Sequence, residues 1–462
     1  MLLCLSTLAT AQTTEQDRRL SALEQKMREL DPSFQVPAQA GWDDRLAALE
    51  ARMAQLVQTR LAAESGPPSA DAALDPIPTA PLSVNEAGNH QQLSEQTGNP
   101  LQRVSVTGDY QASGEGETRL PVSGYMDFHV NKFRGEPARP DFHRFVLLFG
   151  HSFSTRIKFW SEFELEHSFV EGREVGGEIA LEQAYLDFLI KPWLNVRAGM
   201  LLTPVGIINE RHEPPSFNGV ERPFVETVII PSTWRELGFG FTGDLGRGFR
   251  YRAYMISALD ASRFNAESGI QEGRTNGFDA SFRNPAFVGR VEYAGVRRLT
   301  LGASFYTGKS GFNLVSVNPR VAIGSFDGRF SFRRFDFRGL FANTWISHAR
   351  ELNEVLERQV GFLQNVGREL RGYYAEPAVH VLPRRLRNDL ILFTRYEKYN
   401  TQHRMPEGFV PLPQFNQSSW VAGVTYKPNA DIAVKFDYSF NRNASTVVRA
   451  IDSINLGLGW WF

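Results

Sequence analysis

From about residue 120 onward, polar and apolar side chains alternate with a period of two. Tyr125, Asp127, His129 and Asn131 alternate with Met126, Phe128 and Val130. Arg156, Lys158, Trp160, Glu162, Glu164 and Glu166 alternate with Ile157, Phe159, Phe163 and Leu165. Gln183, Tyr185 and Asp187 alternate with Ala184, Leu186, Phe188 and Ile190, and Lys435, Asp437 and Ser439 with Val434, Phe436 and Tyr438. This is the pattern of strands with one apolar and one wet face. The runs are about 9 to 12 residues long, enough for a tilted strand to cross a bilayer. A strand in a soluble sheet needs only about five or six.

About sixteen such runs are expected, beginning near residues 122, 141, 155, 179, 194, 234, 249, 286, 298, 320, 335, 372, 386, 418, 432 and 451. Gaps after even-numbered runs are short, as at Lys191-Pro192-Trp193, around Leu245, from Gly295 to Arg297, at 382 to 387 and at Lys427-Pro428-Asn429-Ala430. Gaps after odd-numbered runs are mostly long: 167 to 178, 204 to 233, 260 to 285, 308 to 319, 347 to 371 and 398 to 417. Short turns on one side and long loops on the other are the architecture of an outer-membrane barrel. In lipid every backbone polar group needs an internal partner, so the sheet must close. The fold expected is all-β: a 16-stranded antiparallel transmembrane β-barrel, with a short N-terminal helical, coiled-coil segment.

The last run carries an assembly signal. Ile454, Leu456, Leu458, Trp460 and Phe462 alternate with Asn455, Gly457, Gly459 and Trp461. An alternating strand that ends on an aromatic is what the barrel-assembly machinery of Gram-negative outer membranes reads.

Ahead of the barrel lie three further segments. Residues 1–11 read as a secretory signal peptide ending in Ala9-Thr10-Ala11, truncated because the positively charged start is missing. Leu3 is too bulky to favour lipidation of Cys4, the chain's single cysteine. Residues 12–64 hold an internal repeat, Asp17 to Leu30 and Asp43 to Leu56. Leu20, Leu23, Met27 and Leu30, then Leu46, Leu49, Met53 and Leu56, follow coiled-coil spacing. That predicts either a periplasmic trimerisation segment or two short amphipathic helices that pack elsewhere. Residues 65–119 are rich in Pro, Ala, Ser, Asn and Gln and read as a flexible linker. The barrel takes 120–462.

Composition narrows the function classes. The chain of 462 residues has formal net charge −1 and mean hydropathy −0.30. No global field points to nucleic acid, and no segment approaches the roughly 18 apolar residues of a spanning helix. Thirty-five Phe alternating with charges fit a sheet that is greasy outside and wet within.

Sixteen strands leave a lumen wide enough for water, so a passive channel for small hydrophilic solutes is expected, and no enzyme or cofactor. Parity places Arg156, Lys158, Arg197, Arg250, Arg252, Arg290, Arg395 and Lys435 inward, nearly balanced by acids. In GRFSFRRFDFRG, Arg329, Arg333, Arg334 and Arg338 interleave with Phe330, Phe332, Phe335 and Phe337. They form either an inward ladder that favours phosphate-like anions or a girdle at the lipid headgroups. The loop Thr203 to Trp234, stiffened by prolines and carrying apolar patches, is expected to fold into the lumen or to pack at a subunit interface. In the first case it brings Glu210, Arg211, His212, Glu213, Glu221, Arg222 and Glu226 to a constriction. Residues 347 to 371 predict a helix inside an outer loop.

Rivals are a barrel enzyme, although no convincing Ser/His/Asp group is visible, a plugged structural barrel, and a sugar channel using Trp160, Tyr125, Tyr185 and Tyr254 as an aromatic slide. HExxH spacing is absent, so Glu210, His212 and Glu213 point to a hydrogen-bonded constriction and no metal site. Gly238, Gly240 and Gly243 match GxGxxG but sit inside a strand, where no helix follows.

At INERHEPPSFNGVERPFVETVIIPSTWRELGFGFTG, RYEKYNTQHRMPEGF and YKPNADIAVKFDY the sequence resembles the phosphate-selective porin O/P family across about 120 to 462. The resemblance implies a homotrimer of 16-stranded barrels with periplasmic coiled coils, an inward third loop and an arginine-lined pore. Expected partners are the lipid bilayer with its lipopolysaccharide, the assembly machinery, and small anions such as phosphate as solutes.

Overall fold

A computed structural model describes residues 122–167, 177–278, 281–314, 316–383 and 386–462, together with Asp31, Phe34, Arg45 and Arg52. The chain divides into two units, Met1–Leu93 and Ser94–Phe462. In the first, Arg45 and Arg52 are helical, and Arg52 Nε donates to Asp31 at 2.5 Å. The expected signal peptide and linker, and the rest of the coiled-coil segment, lie outside the described residues.

The second unit is a barrel. Its strands are β1 (Val122–Phe133), β2 (Arg139–Ser152), β3 (Ile157–Glu166), β4 (Glu178–Lys191), β5 (Leu194–Leu202), β6 (Arg235–Gly246), β7 (Phe249–Ile256) and β8 (Ala286–Tyr293). Then follow β9 (Leu299–Lys309), β10 (Arg320–Phe332), β11 (Phe335–Ile346), β12 (Glu369–His380), β13 (Asp389–Arg404), β14 (Asn416–Lys427), β15 (Ile432–Asn443) and β16 (Ser453–Trp461). Each pairs with its neighbours in sequence, and β1 pairs antiparallel with β16, so the sheet closes without an edge. Phe128 stands opposite Leu458 and Met126 opposite Trp460 across that seam. The seam ends on two backbone hydrogen bonds between Gly124 and Phe462, at 3.0 and 2.9 Å. All sixteen strands begin within three residues of their expected starts.

The outer face is apolar. Phe239, Phe241, Phe305, Phe326, Phe341, Trp345, Leu392, Trp420, Phe436 and Leu456 are all exposed. A soluble protein does not carry so large an apolar surface. Around a closed barrel it is the band that meets lipid, which places the protein in a bacterial outer membrane.

The buried core lies inside the lumen. Val205, Ile207, Ile208, Val225, Ile229 and Ile230 pack there with Leu259, Phe264 and Ile270 of the loop after β7. Leu352 and Leu356 join them from a single helix, α1 (Ala349–Val360). That helix sits inside the loop expected to hold one.

β13 and β4 depart from simple alternation in ways that matter for the lumen. β13 continues to Arg404, where a loop was expected from 398. Its outward Lys398 and Asn400 are polar, so hydropathy stops alternating while the backbone still pairs with β14. Between β3 and β4 the register slips, with Glu162 opposite Gln183 and Phe163 opposite Leu181. Glu182 is therefore a bulged residue, and both it and Gln183 are buried.

Candidate functional site: a loop laid across the lumen

The loop 203–234 folds into the barrel. Its base is tied by Asn209, whose Nδ2 donates to the carbonyls of Thr203 (2.7 Å) and Trp234 (2.9 Å). The Trp234 N–H donates back to Asn209 Oδ1 at 2.7 Å. One side chain thus holds entrance and exit together. Within the loop, Glu226 Oε2 accepts from the N–H groups of Ile207 and Ile208, both at 2.7 Å. Gly206 makes this possible: its φ is +80°, and a Cβ there would lie 2.4 Å from Glu226 Oε2.

From that base the loop reaches the far wall. Tyr374 Oη on β12 donates to Glu226 Oε1 at 2.6 Å, and Asn218 Nδ2 donates to Glu376 Oε1 at 3.0 Å. The Val220 N–H meets Asp437 Oδ2 on β15 at 2.6 Å, and the Val225 N–H meets Glu397 Oε2 on β13 at 3.2 Å. Lys427 Nζ on β14 donates to the Pro215 carbonyl at 2.7 Å. On β1, Asn131 Nδ2 donates to Glu221 Oε1 at 2.9 Å and His129 stands 3.3 Å from it. His212 is held between Tyr125 Oη (3.1 Å) and Glu182 Oε2 (3.0 Å), while Arg144 donates to its carbonyl at 3.0 Å. These bonds replace the water that buried polar groups give up on folding.

Burial shifts the ionisation of loop groups. It pushes the Glu226 carboxyl up to about 7, against the hydrogen bonds it accepts. It lowers the Arg222 guanidinium, helped by the like charge of Arg144, and also the Arg211 guanidinium. Glu221 is held down at about 2, where the bonds and charge of His129 outweigh its burial.

The constriction loop meets an arginine cluster on β7 to β10. Arg252 Nε lies 3.0 Å from Glu210, and Arg211 lies 3.7 Å from Glu292. Arg329 lies 3.8 Å from the same Glu292, and Arg290 grips Asp327 through two nitrogens at 2.6 and 2.9 Å. Four guanidinium groups (211, 252, 290, 329) thus share three carboxylates (210, 292, 327). Arg252 Nη1 and Arg329 Nε are buried without a hydrogen-bond partner.

Elsewhere most of the predicted arginines are paired with carboxylates or displaced into turns, and the two lysines meet a ring and a hydroxyl. Arg197 is bidentate to Asp187 at 2.7 and 2.8 Å and lies over the Tyr185 ring. Arg338 reaches Glu376 at 3.2 Å, and Arg395 reaches Glu397 at 2.7 Å and Glu376 at 3.3 Å. Lys435 Nζ is buried 3.8 Å from the centre of the Phe217 ring. Lys158 donates to Ser152, and Arg250 stands 4.0 Å from Asp244. The expected four-arginine ladder is corrected to two residues. Arg329 and Arg338 stand opposite each other in β10 and β11, whereas Arg333 and Arg334 form the exposed turn between those strands. Arg156 likewise sits in the exposed turn before β3. The turn consumes the residues where parity would have continued. All seven expected loop residues belong to the inward-folded loop. Glu213 is buried there, and Arg222 donates to Thr233 Oγ1 at 3.0 Å.

Sequence reasoning missed Glu182, Arg144 and Asp327. Glu182 is inward only because of the bulge. Arg144 lies in a strand that is apolar on both faces, where Val146 and Leu148 are buried inside. Among the described residues, two groups of side chains have the spacing to hold a metal ion: Glu162, Glu182 and His212, and Asp141, His143 and His167. The first is wholly buried and hydrogen-bonded to Tyr125 and Gln183, and it serves as a staple for the loop.

An uncharacterized protein of Aquifex aeolicus (strain VF5) is 34% identical to this chain over 334 residues, 69% of this chain and 75% of the relative. The two belong to one family. No family model matches the chain. Among solved structures, an anion-selective porin from Comamonas acidovorans is 12% identical with a TM-score of 0.48, covering 75% of this chain and 100% of its own. Salmonella typhi OmpF in complex with daunomycin is 13% identical with a TM-score of 0.49, covering 75% and 98%. The outer membrane channel DcaP of Acinetobacter baumannii is 11% identical with a TM-score of 0.46, covering 76% and 99%.

Proposed function

We propose that this chain is an outer-membrane diffusion channel for small hydrophilic solutes, with a modest preference for anions and no enzymatic activity. The observation that carries the reading is the third loop, laid across the lumen and bonded to the far wall, whose Glu210 and Arg211 join Arg252, Arg290 and Arg329 of β7 to β10 in a cluster of four arginines and three carboxylates. A narrowed, low-dielectric passage magnifies a small excess of fixed charge. Guanidinium groups suit oxyanions such as phosphate because they can bind them through two N–H groups. The preference is modest because most wall arginines already hold a carboxylate. A sugar slide is disfavoured: Trp160, Tyr125, Tyr185 and Tyr254 are all buried against the wall or loop. The assembled unit is proposed to be a homotrimer in the bilayer.

Bilayer recording under a salt gradient tests this. The reversal potential should move toward the chloride value, and R252A/R329A should lower the anion-to-cation permeability ratio severalfold. A cation-directed potential, or one indifferent to the double substitution, overturns the anion preference. A folded barrel without conductance turns the reading toward a plugged or enzymatic one.

A further inference from the structure

At the loop end of β2 and β3, away from the arginine cluster, three potential metal ligands converge. His167 Nδ1 lies 2.9 Å from Asp141 Oδ2, and His143 Nδ1 lies 3.5 Å from the same oxygen. All three donor atoms fall within 4.8 Å of one another. In a tetrahedral zinc site, with metal–ligand bonds of about 2.0–2.1 Å, neighbouring donor atoms stand roughly 3.3 Å apart. The two measured separations bracket that edge.

The backbone arranges this convergence. Between β1 and β2 the register shifts, from Asp127 opposite Arg144 to His129 opposite Asp141. Such an irregularity re-aims side chains. His143 stacks on the buried His129, ring centres 4.6 Å apart, although its neighbour Arg144 also turns inward. His167 takes a left-handed conformation, φ 54°, just past β3, and its N–H donates to the His143 carbonyl at 2.8 Å. The two imidazoles are thus held edge to face, ring centres 5.3 Å apart. Glu166 Oε1 stands 3.7 Å from His167 Nε2 and adds negative charge beside the three ligands. The Asp141, His143 and His167 side chains are 37%, 22% and 51% exposed. An ion from outside can therefore reach them, which it cannot do at the buried Glu162–Glu182–His212 group.

We propose that Asp141, His143 and His167 form a binding site at the channel mouth for a divalent transition-metal ion of the zinc, nickel or copper(II) type. Two imidazoles and one carboxylate suit those ions over magnesium or calcium, which take oxygen ligands. Three protein ligands leave a fourth position for water or a passing solute. Binding replaces the hydrogen bond between His167 Nδ1 and Asp141: the ligating ring is a neutral imidazole with its proton on Nε2, so a neutral ring shifts its Nδ1 proton to Nε2 and an imidazolium releases one proton to solvent as the ion enters.

The test uses the full-length barrel, purified in detergent, stripped with EDTA and dialysed, then titrated with Co2+ by visible absorption and with Zn2+ by calorimetry. One ion per chain is expected, with a cobalt band typical of nitrogen and oxygen ligation and with Mg2+ unable to compete. H143A and H167Q should each weaken binding at least tenfold and D141N should weaken it as well. Folding of every variant is checked by the change in electrophoretic mobility on boiling. Stoichiometric binding that persists in the H143A/H167Q double variant assigns the ion elsewhere and overturns the proposal. So does wild-type binding no stronger than the double variant's. Neither result bears on conductance or anion preference.

Discussion

Glu226 joins three parts of the molecule: the start of the loop at Ile207 and Ile208, its far end, and Tyr374 on the opposite wall. Its pKa of about 7 exceeds the ordinary 4.5 because burial outweighs the bonds it accepts. The seated loop therefore holds this proton more tightly than a released loop would. The contribution to seating is fully present below about pH 4.5 and is lost as pH rises through 7. Single-channel recordings should show more current excursions at pH 8 than at pH 5, and E226Q should flatten that dependence. A neighbouring test is Asp437→Ala, which strands the Val220 N–H. An unmade buried hydrogen bond costs about 1–3 kcal/mol, so limited proteolysis should cut the loop faster in that variant.

At the scale of elements, strand positions were legible because lipid imposes a strict rule on one face of every strand. Where the rule lapses, reading lapses with it. β2 hid Arg144 because its inward face is partly apolar, and the tail of β13 was hidden because its outward face is polar. The bulge at Glu182 inverts parity without any local mark in the sequence. The inward folding of the third loop was legible from its prolines and its paired apolar patches, Ile207-Ile208 and Val228-Ile229-Ile230. Its anchors were not, because Asn218 and Glu376, or Val220 and Asp437, meet only through barrel closure. The runs expected from 320 and 335 placed a tight turn within the arginine pattern at 329 to 338, but which arginines that turn would consume depended on one residue of register. The helix α1 offers a test of lumen packing. Leu356 is fully buried beside the loop core, and Leu356→Ala should cost about 2–5 kcal/mol, read as a lower thermal midpoint in detergent.

For the whole molecule, solvent runs the opposite way from a soluble protein: the apolar band faces out and the charges face in. Placing a charge on that band should hurt more than placing one inside. Phe326→Arg, at an exposed position near the middle of β10, is expected to cost about 2–4 kcal/mol if it sits at mid-bilayer, and assembled yield should fall. A charge change twice as large at a solvent-facing turn residue, Arg333→Glu, should leave yield unaltered.

The third loop also acts as a cross-tie. It leaves the wall between β5 and β6 and is fastened to β12, β13, β14 and β15. A hollow cylinder resists stretching around its hoop far better than flattening into an oval, and a strut spanning the bore opposes that flattening. Excising residues 205–232 should therefore widen the passage and at the same time soften the cylinder, so that larger currents arrive together with an earlier collapse on heating.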